Sequence, residues 1–270
     1  MTMKLLQWVC GGLLVSAAVS LIALERGLPY RRGQALLRRG ALTDFVIYSL
    51  VQGYLLALFV AFVVQPLEPI AERARNSAFA RLPLFAQIVF FLVTHDLLLY
   101  WFHRWQHASR LLWRTHEPHH SNTEIDWVAG SRASPIEIVL TELMKYVPVL
   151  VLGAPPQVVL IRGTIDAIWG MYLHCNVDVR SGALQYVVNG PEMHRWHHAL
   201  DEVARNKNFA TKFAAWDWLF GTAYWPRHGQ PIAYGLPEGE RDGYLAQQLF
   251  SLRPRDGAAD GGPTKWQTTS

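Results

Sequence analysis

The sequence predicts an all-α integral membrane protein: a helical bundle with three long transmembrane helices, a helical hairpin and a histidine-rich metal domain on the cytoplasmic face. Three observations carry this reading. Of the 270 residues, 51% are hydrophobic and only 17% charged, against about a quarter charged in ordinary soluble domains. Uncharged runs long enough to cross a bilayer recur in the first half of the chain. The 11 histidines are gathered mostly into short clusters, whereas there are only two cysteines. The formal charge of +4 is too small and too scattered to point to nucleic acid, so anionic lipid headgroups are the expected acidic neighbour. Cys10 and Cys175 can build neither a disulfide framework nor a cysteine zinc site.

Leu5–Leu24 is uncharged and at helical rise covers the roughly 30 Å hydrocarbon core, which makes it the first span. It is too long for the apolar region of a cleaved signal peptide, and no small-x-small site follows it. Phe45–Leu67 is the second span. Leu82–Phe102 is the third, interrupted by His95 and Asp96, and polar groups at that depth face a bundle interior or a functional cavity. Ile138–Leu152 and Gln157–Leu173 are shorter apolar segments separated by Gly153, Ala154, Pro155 and Pro156, which cannot continue a helix. They predict a hairpin that enters and leaves from one face. The loop from Glu25 to Gly40 carries five arginines, and the loop Glu68–Arg81 carries three offset by Glu68 and Glu72. The first loop is therefore assigned to the cytoplasm and the amino terminus to the outside. Every histidine cluster then falls on one membrane face in either orientation. The last twenty residues, rich in Gly, Pro and polar residues, predict a disordered tail.

Three clusters carry the chemistry: HRWQH with His103 and His107, HEPHH with His116, His119 and His120, and HRWHH with His194, His197 and His198. On a helix, spacings of three and four bring imidazoles to nearly one face, where two can share a metal. The vicinal pairs add a ring about 100° away, which suits a cluster serving two metals. With His174 in YLHCN, nine histidines converge. A lone histidine is more often a satisfied polar residue, and His95 and His228 keep that assignment; three spaced clusters without thiolates point to metal. A closed four-ligand zinc site has no use for nine imidazoles, and ligand type alone leaves iron, zinc, copper and nickel open. Nine neutral ligands need nearby carboxylates to orient and polarise the rings, and Asp96, Glu117, Glu192 and Asp217 lie beside the clusters. Asp96, Tyr100, His103 and His107 share one face of the third helix.

The ordered segments DLLLYWFHRWQH, LWRTHEPHHS, YLHCN, PEMHRWHH, NKNFA and WDWLFGT resemble the sterol desaturase and fatty acid hydroxylase superfamily of membrane non-haem di-iron oxygenases. The resemblance covers roughly Leu42 to Pro226 and implies that His103, His107, His116, His119, His120, His174, His194, His197 and His198 are its iron ligands. It also maps a family aspartate onto Asp96 and a closing signature onto Trp216, Asp217, Phe220, Gly221 and Thr222, read as a structural clasp on the metal domain. The chain departs from the family where Arg-x-His-Pro-x-Glu becomes Arg132, Ala133, Ser134, Pro135, Ile136 and Glu137, and at Ala210.

These readings divide the chain into an N-terminal helix and basic loop over 1–41, a catalytic domain over 42–226, and a C-terminal extension over 227–270. The resemblance implies a di-iron monooxygenase that hydroxylates a C–H bond of a fatty acyl, sterol or related lipid with dioxygen. A desaturase could use the same residues. Lacking His-Pro-Gly-Gly, the chain shows no fused cytochrome b5-like domain, so electrons are expected from a separate ferredoxin-like or cytochrome b5-like carrier and its reductase. Two readings of other classes stay open. A membrane haem protein needs axial histidines inside facing spans, yet most histidines here lie outside the apolar runs. A histidine-rich metal carrier needs ligands within the spans or a low-complexity loop.

Overall fold

The computed structural model describes residues 2–227 and 229–253. Among these residues the chain is helical, without strands; Pro29 with Val177 and Ala199 with Tyr234 form isolated bridges. His228 and the residues after Arg253, which hold nearly all of the expected disordered tail, lie outside the described residues.

The first helix, α1, runs Met3–Gly27, and the Thr2 hydroxyl caps it by accepting the Leu5 N–H at 3.3 Å. Trp8, Leu13 and Val19 on this helix are exposed, as a lipid-facing surface requires. The second apolar run opens as a π-helix, Thr43–Gln52, and continues through α2 (Gly53–Val64), a 3₁₀ turn at Gln65–Leu67 and α3 (Glu68–Ala74). Pro66, which has no N–H, falls in the tightened turn, and Pro69 opens α3, where the missing donor costs nothing. Helix α4 spans Leu84–Ala108, starting after Pro83. It runs beyond the predicted end at Phe102 because its buried stripe of Asp96, Tyr100, His103 and His107 keeps the four-three-four spacing past the last apolar residue. Met3–Gly27, Thr43–Ala74 and Leu84–Ala108 are each long and apolar enough to cross a membrane.

The hairpin comprises α6 (Pro135–Val151) and α7 (Pro156–His174), after the short α5 (Arg110–His116). Ser134 caps α6 by accepting the Glu137 N–H. At the turn Gly153 adopts φ +74°, and a Cβ there would lie 2.2 Å from the Ala74 backbone. The Ser77 hydroxyl donates to Leu152 O nearby, so the hairpin reaches the connection between the second and third long helices. Val149, Ala154 and Val158 close the turn against Phe91 of α4. Further along, α6 leans on α2 and α3 and α7 leans on α1, with α4 beneath both arms.

The histidine end is tied together by buried charges. Arg38 pairs with Asp44 at 2.6 Å and with Asp126 at 2.9 Å; Arg132 pairs with Asp44 at 2.8 Å and Glu240 at 2.9 Å. One network thus joins the loop after α1, the start of the second long helix, the 122–132 loop and the C-terminal segment. That segment carries α10 (Tyr244–Ser251), which returns to the second long helix: the Tyr48 hydroxyl donates to Gln247 Oε1 at 2.7 Å and Tyr244 donates to Gln52 Oε1 at 2.6 Å. Helices α8 (Pro191–His197) and α9 (Ala215–Leu219) complete the domain.

Asp44→Ala leaves Arg38 and Arg132 buried with too few partners, and stability is expected to fall by about 3–5 kcal/mol. Chemical unfolding of the purified membrane protein measures this; a loss below about 1 kcal/mol would show that the network is not a structural tie.

Candidate metal centre

Five separate pieces of chain present the nine histidines. Helix α4 supplies His103 and His107, the end of α5 supplies His116, and a 3₁₀ turn at His119–Ser121 supplies His119 and His120. The last residue of α7 is His174; α8 supplies His194 and His197, and His198 follows it. The rings fall into two groups, in each of which one ring nitrogen per residue lies within 4.8 Å of the others: His103, His107, His116, His120 and His197, and then His119, His174, His194 and His198. Pairs four apart share a group, whereas the vicinal pairs His119/His120 and His197/His198 divide between the two. His119 is the most open of the nine, and the other eight are buried.

Ring partners decide where the lone pairs point. Nδ1 of His103 donates to Phe209 O at 2.7 Å, that of His119 to Arg132 O at 3.1 Å, that of His174 to Gly170 O at 2.8 Å and that of His197 to Lys207 O at 2.9 Å. A carbonyl can only accept, so each Nδ1 carries the proton and, in the neutral ring, Nε2 carries the lone pair. Glu137 Oε1 accepts Gln106 Nε2–H and does the same for His116 Nδ1 at 2.7 Å. Burial holds His116, His120, His194, His197 and His198 well below the ordinary histidine range, so these rings are neutral.

Lone pair therefore faces lone pair. His103 Nε2 lies 2.9 Å from His116 Nε2, and His119 Nε2 lies 3.3 Å from His174 Nε2, with no proton available to either contact. His194 Nε2 is 2.9 Å from His174 Nε2 and 3.1 Å from His198 Nε2. Nε2 of His107, His120 and His197 is buried without any hydrogen-bond partner. Such an array is unfavourable on its own. Two nitrogens each about 2.1 Å from a shared ion stand about 2.9–3.4 Å apart, so the spacing of both groups fits a bound metal ion in each.

The carboxylates expected beside the rings act elsewhere. Asp96 accepts the N–H groups of Lys212 and Phe213 at 2.9 Å and the Trp216 indole N–H at 3.2 Å. Asp217 accepts the N–H of Phe209 at 2.8 Å, that of Ala210 at 2.9 Å and the Thr222 hydroxyl at 2.7 Å. Since Phe209 is the carbonyl partner of His103, Asp217 reaches the histidines through the main chain, and Gly221 at φ +72° lets the 216–222 clasp close. Glu192 accepts from Ser181 N and Gln185 Nε2 at 2.7 Å, and Glu117 pairs with Arg253 at 3.3 Å. Glu137, which stands in the sequence only within a divergent motif, places a carboxylate on a histidine ring. Its signal was its place in the first turn of a helix following the second histidine cluster. His95 stands apart from both groups, buried beside Phe91. Of the tryptophans near the clusters, Trp105 is exposed, whereas Trp113 is buried against His107 and His120. A cavity of about 100 Å³ opens onto His107, His120 and His197, its outer wall formed by Leu200, Arg205 and Glu238.

Glu137→Gln keeps the shape but removes the charge that makes His116 basic, and metal affinity is expected to fall about 10- to 100-fold. Metal retention against a graded chelator series tests this, and wild-type retention would remove Glu137 from the centre. Gly130→Ala places a Cβ 2.5 Å from His174 Nδ1. The variant is expected to lose metal from the four-histidine group, which metal-to-protein stoichiometry reads directly.

Residues 88–222 match the family model described as fatty acid hydroxylase, and all nine histidines fall within the match. The chain is 34% identical over 64% of its length to the ornithine lipid hydroxylase of Rhizobium tropici, covering 53% of that protein. It is 31% identical over 52% of its length to the alkylglycerol monooxygenase of Homo sapiens, covering 31% of it. With methylsterol monooxygenase 2-2 of Arabidopsis thaliana the identity is 24% over 51% of the chain, covering 52% of the relative. The chain thus spans about half the length, or less, of these relatives. No solved structure matches it. Matching the family model over half its length, with nine histidines gathered into two groups within that match, the chain belongs to the fatty acid hydroxylase family.

Proposed function

We propose that this protein is a membrane non-haem di-iron monooxygenase that hydroxylates a C–H bond of a membrane lipid. One observation carries the proposal: neutral imidazole lone pairs face one another at 2.9 Å and 3.3 Å where the third long helix ends. His103, His107, His116, His120 and His197 would hold one iron ion, and His119, His174, His194 and His198 the other. The chemistry that a bound iron pair supplies is reductive activation of dioxygen for attack on an unactivated C–H bond. The rest belongs to the protein. Main-chain carbonyls and Glu137 hold five rings with Nδ1 protonated and so keep each Nε2 free to bind metal. Burial excludes bulk water, and the arms of the hairpin end at the histidines, which offers a lipid a route from the bilayer. Relatives named for ornithine lipid, alkylglycerol and methylsterol support a lipid substrate. The arginine-rich first loop supports a cytoplasmic metal centre, served by a separate ferredoxin-like or cytochrome b5-like donor and its reductase.

The test is lipid mass spectrometry of cells grown under oxygen-18 gas, comparing the wild type with a His119→Ala, His197→Ala double variant that removes one ring from each group. A lipid that gains one labelled oxygen only with the wild type is the expected result. Loss of two hydrogens without label would replace hydroxylation by desaturation. Identical lipidomes in the presence of an active reductase would overturn the oxygenase reading.

A further inference from the structure

Helix α10 is built inside out. Its inward face carries Gln247 and Ser251, both buried, with Tyr244 and Gln248 half-buried beside them. Its outward face carries Leu245, Leu249 and Leu252 at spacings of four and three, and these are 71%, 66% and 59% exposed. The inward polar groups have partners. Gln247 Oε1 accepts the Tyr48 hydroxyl at 2.7 Å, Gln248 Nε2 donates to that hydroxyl at 3.0 Å, Tyr244 donates to Gln52 Oε1 at 2.6 Å, and the Ser251 hydroxyl donates to Gln248 O at 2.7 Å. An amphipathic helix at an aqueous surface has the opposite order, with its apolar stripe toward the core and its polar residues toward solvent. No charged residue interrupts Tyr244–Ser251.

The partners of α10 fix its depth. Tyr48 and Gln52 lie three and seven residues past Phe45, where the apolar run of the second span begins, so α10 rests about 5–10 Å along that helix. In the same stretch Phe45, Leu50 and Val51 are exposed, as on the lipid-facing surface of α1. A surface helix that sinks its apolar face about 5–10 Å into the boundary between headgroups and acyl chains occupies this depth. The outward leucines therefore stand level with apolar surface that the second span already presents to lipid. At the far end of the helix, Arg253 lies 3.4 Å from the Phe250 ring centre and pairs with Glu117 at 3.3 Å and Glu238 at 3.2 Å. Glu238 belongs to the wall of the cavity over His107, His120 and His197.

We infer that α10 docks on the bilayer itself at the histidine end of the protein, with Leu245, Leu249 and Leu252 among the acyl chains next to the headgroups. The partner is a lipid surface of any headgroup, because the docking face offers no charge for a headgroup to pair with. The inference rests on the three long helices crossing a bilayer and is independent of the oxygenase reading. Its consequence for the metal centre is mechanical: a helix held by lipid carries, through Arg253, one wall of the cavity over the five-histidine group.

The experiment places a nitroxide on the full-length, metal-loaded protein in phosphatidylcholine vesicles. Its collisions with oxygen, which concentrates among acyl chains, are compared with its collisions with a water-soluble nickel chelate. Labels are attached in turn at Leu245→Cys and Leu249→Cys, at Phe62→Cys on the exposed face of the second span, and at Glu202→Cys, exposed in the 3₁₀ turn Glu202–Ala204. Cys10 and Cys175 are buried, and the unsubstituted chain gives the background. Unchanged metal content shows that each variant is folded. The oxygen-to-nickel ratio at Leu245→Cys and Leu249→Cys is expected to match that at Phe62→Cys and to exceed that at Glu202→Cys several-fold. A ratio equal to that at Glu202→Cys puts the face in water and overturns the inference. Shielding from both reagents shows that a second copy of the chain or another protein covers the leucines, and overturns it as well. An aqueous ratio at Phe62→Cys sinks the spans and the inference together, whereas a lipid ratio there with an aqueous one on α10 sinks the inference alone.

Discussion

Buried lone pairs that face each other without a proton between them place a heavy demand on the polypeptide around them. His103 and His116 approach nitrogen to nitrogen at 2.9 Å, and a network that buries such contacts needs a cation to make them favourable. The protein accordingly has to hold nine rings in orientations that each would abandon alone. Much of the architecture at the histidine end follows from that requirement, because a ring is held only as firmly as the partner of its other nitrogen.

Those partners are mainly backbone. Phe209, Arg132, Gly170 and Lys207 supply carbonyls, and only the Gly170 carbonyl belongs to the same helix as its ring. The others lie in loops, which are positioned by the buried carboxylates. Asp217 gathers the N–H groups of Phe209 and Ala210, Asp96 gathers those of Lys212 and Phe213, and Arg132 is locked by Asp44 and Glu240. A carbonyl keeps the ring tautomer fixed without adding charge, and a carboxylate two bonds away can rigidify the carbonyl without meeting the ring. Glu137 is the exception, and it places one negative charge directly on a five-ring group that is otherwise neutral.

This layering explains what the sequence revealed. Spans, hairpin and histidine clusters were legible because each is a local pattern: a run without charge, a Gly-Pro break, a spacing of three or four. The split of His197 from His198 also follows from the 100° step between neighbours on a helix, and that of His119 from His120 from the 120° step of their 3₁₀ turn. The ring partners were not legible, since a main-chain carbonyl carries no side-chain signature and any residue type can supply it. Asp96, Glu192 and Asp217 sit near the clusters in sequence but turn to backbone and amide donors, whereas Glu137 is brought to His116 by the fold. The buried pairing of Arg132 with Asp44 and the return of α10 to Tyr48 are contacts between distant segments, which periodicity does not encode. The C-terminal extension is helical over Tyr244–Ser251 for the same reason: its polar residues meet partners on the second long helix.

The hairpin links the two histidine groups to each other. Helix α6 carries in its first turn Glu137, which touches His116 of the five-histidine group; α7 ends at His174, within the four-histidine group. Each arm thus terminates on a different group, and the turn that joins them is fixed at the far end by Gly153 against the Ala74 backbone. The cavity of about 100 Å³ opens onto His107, His120 and His197, whose Nε2 atoms have no hydrogen-bond partner. The cavity thus reaches three rings of the five-histidine group, whereas α7 ends on the four-histidine group.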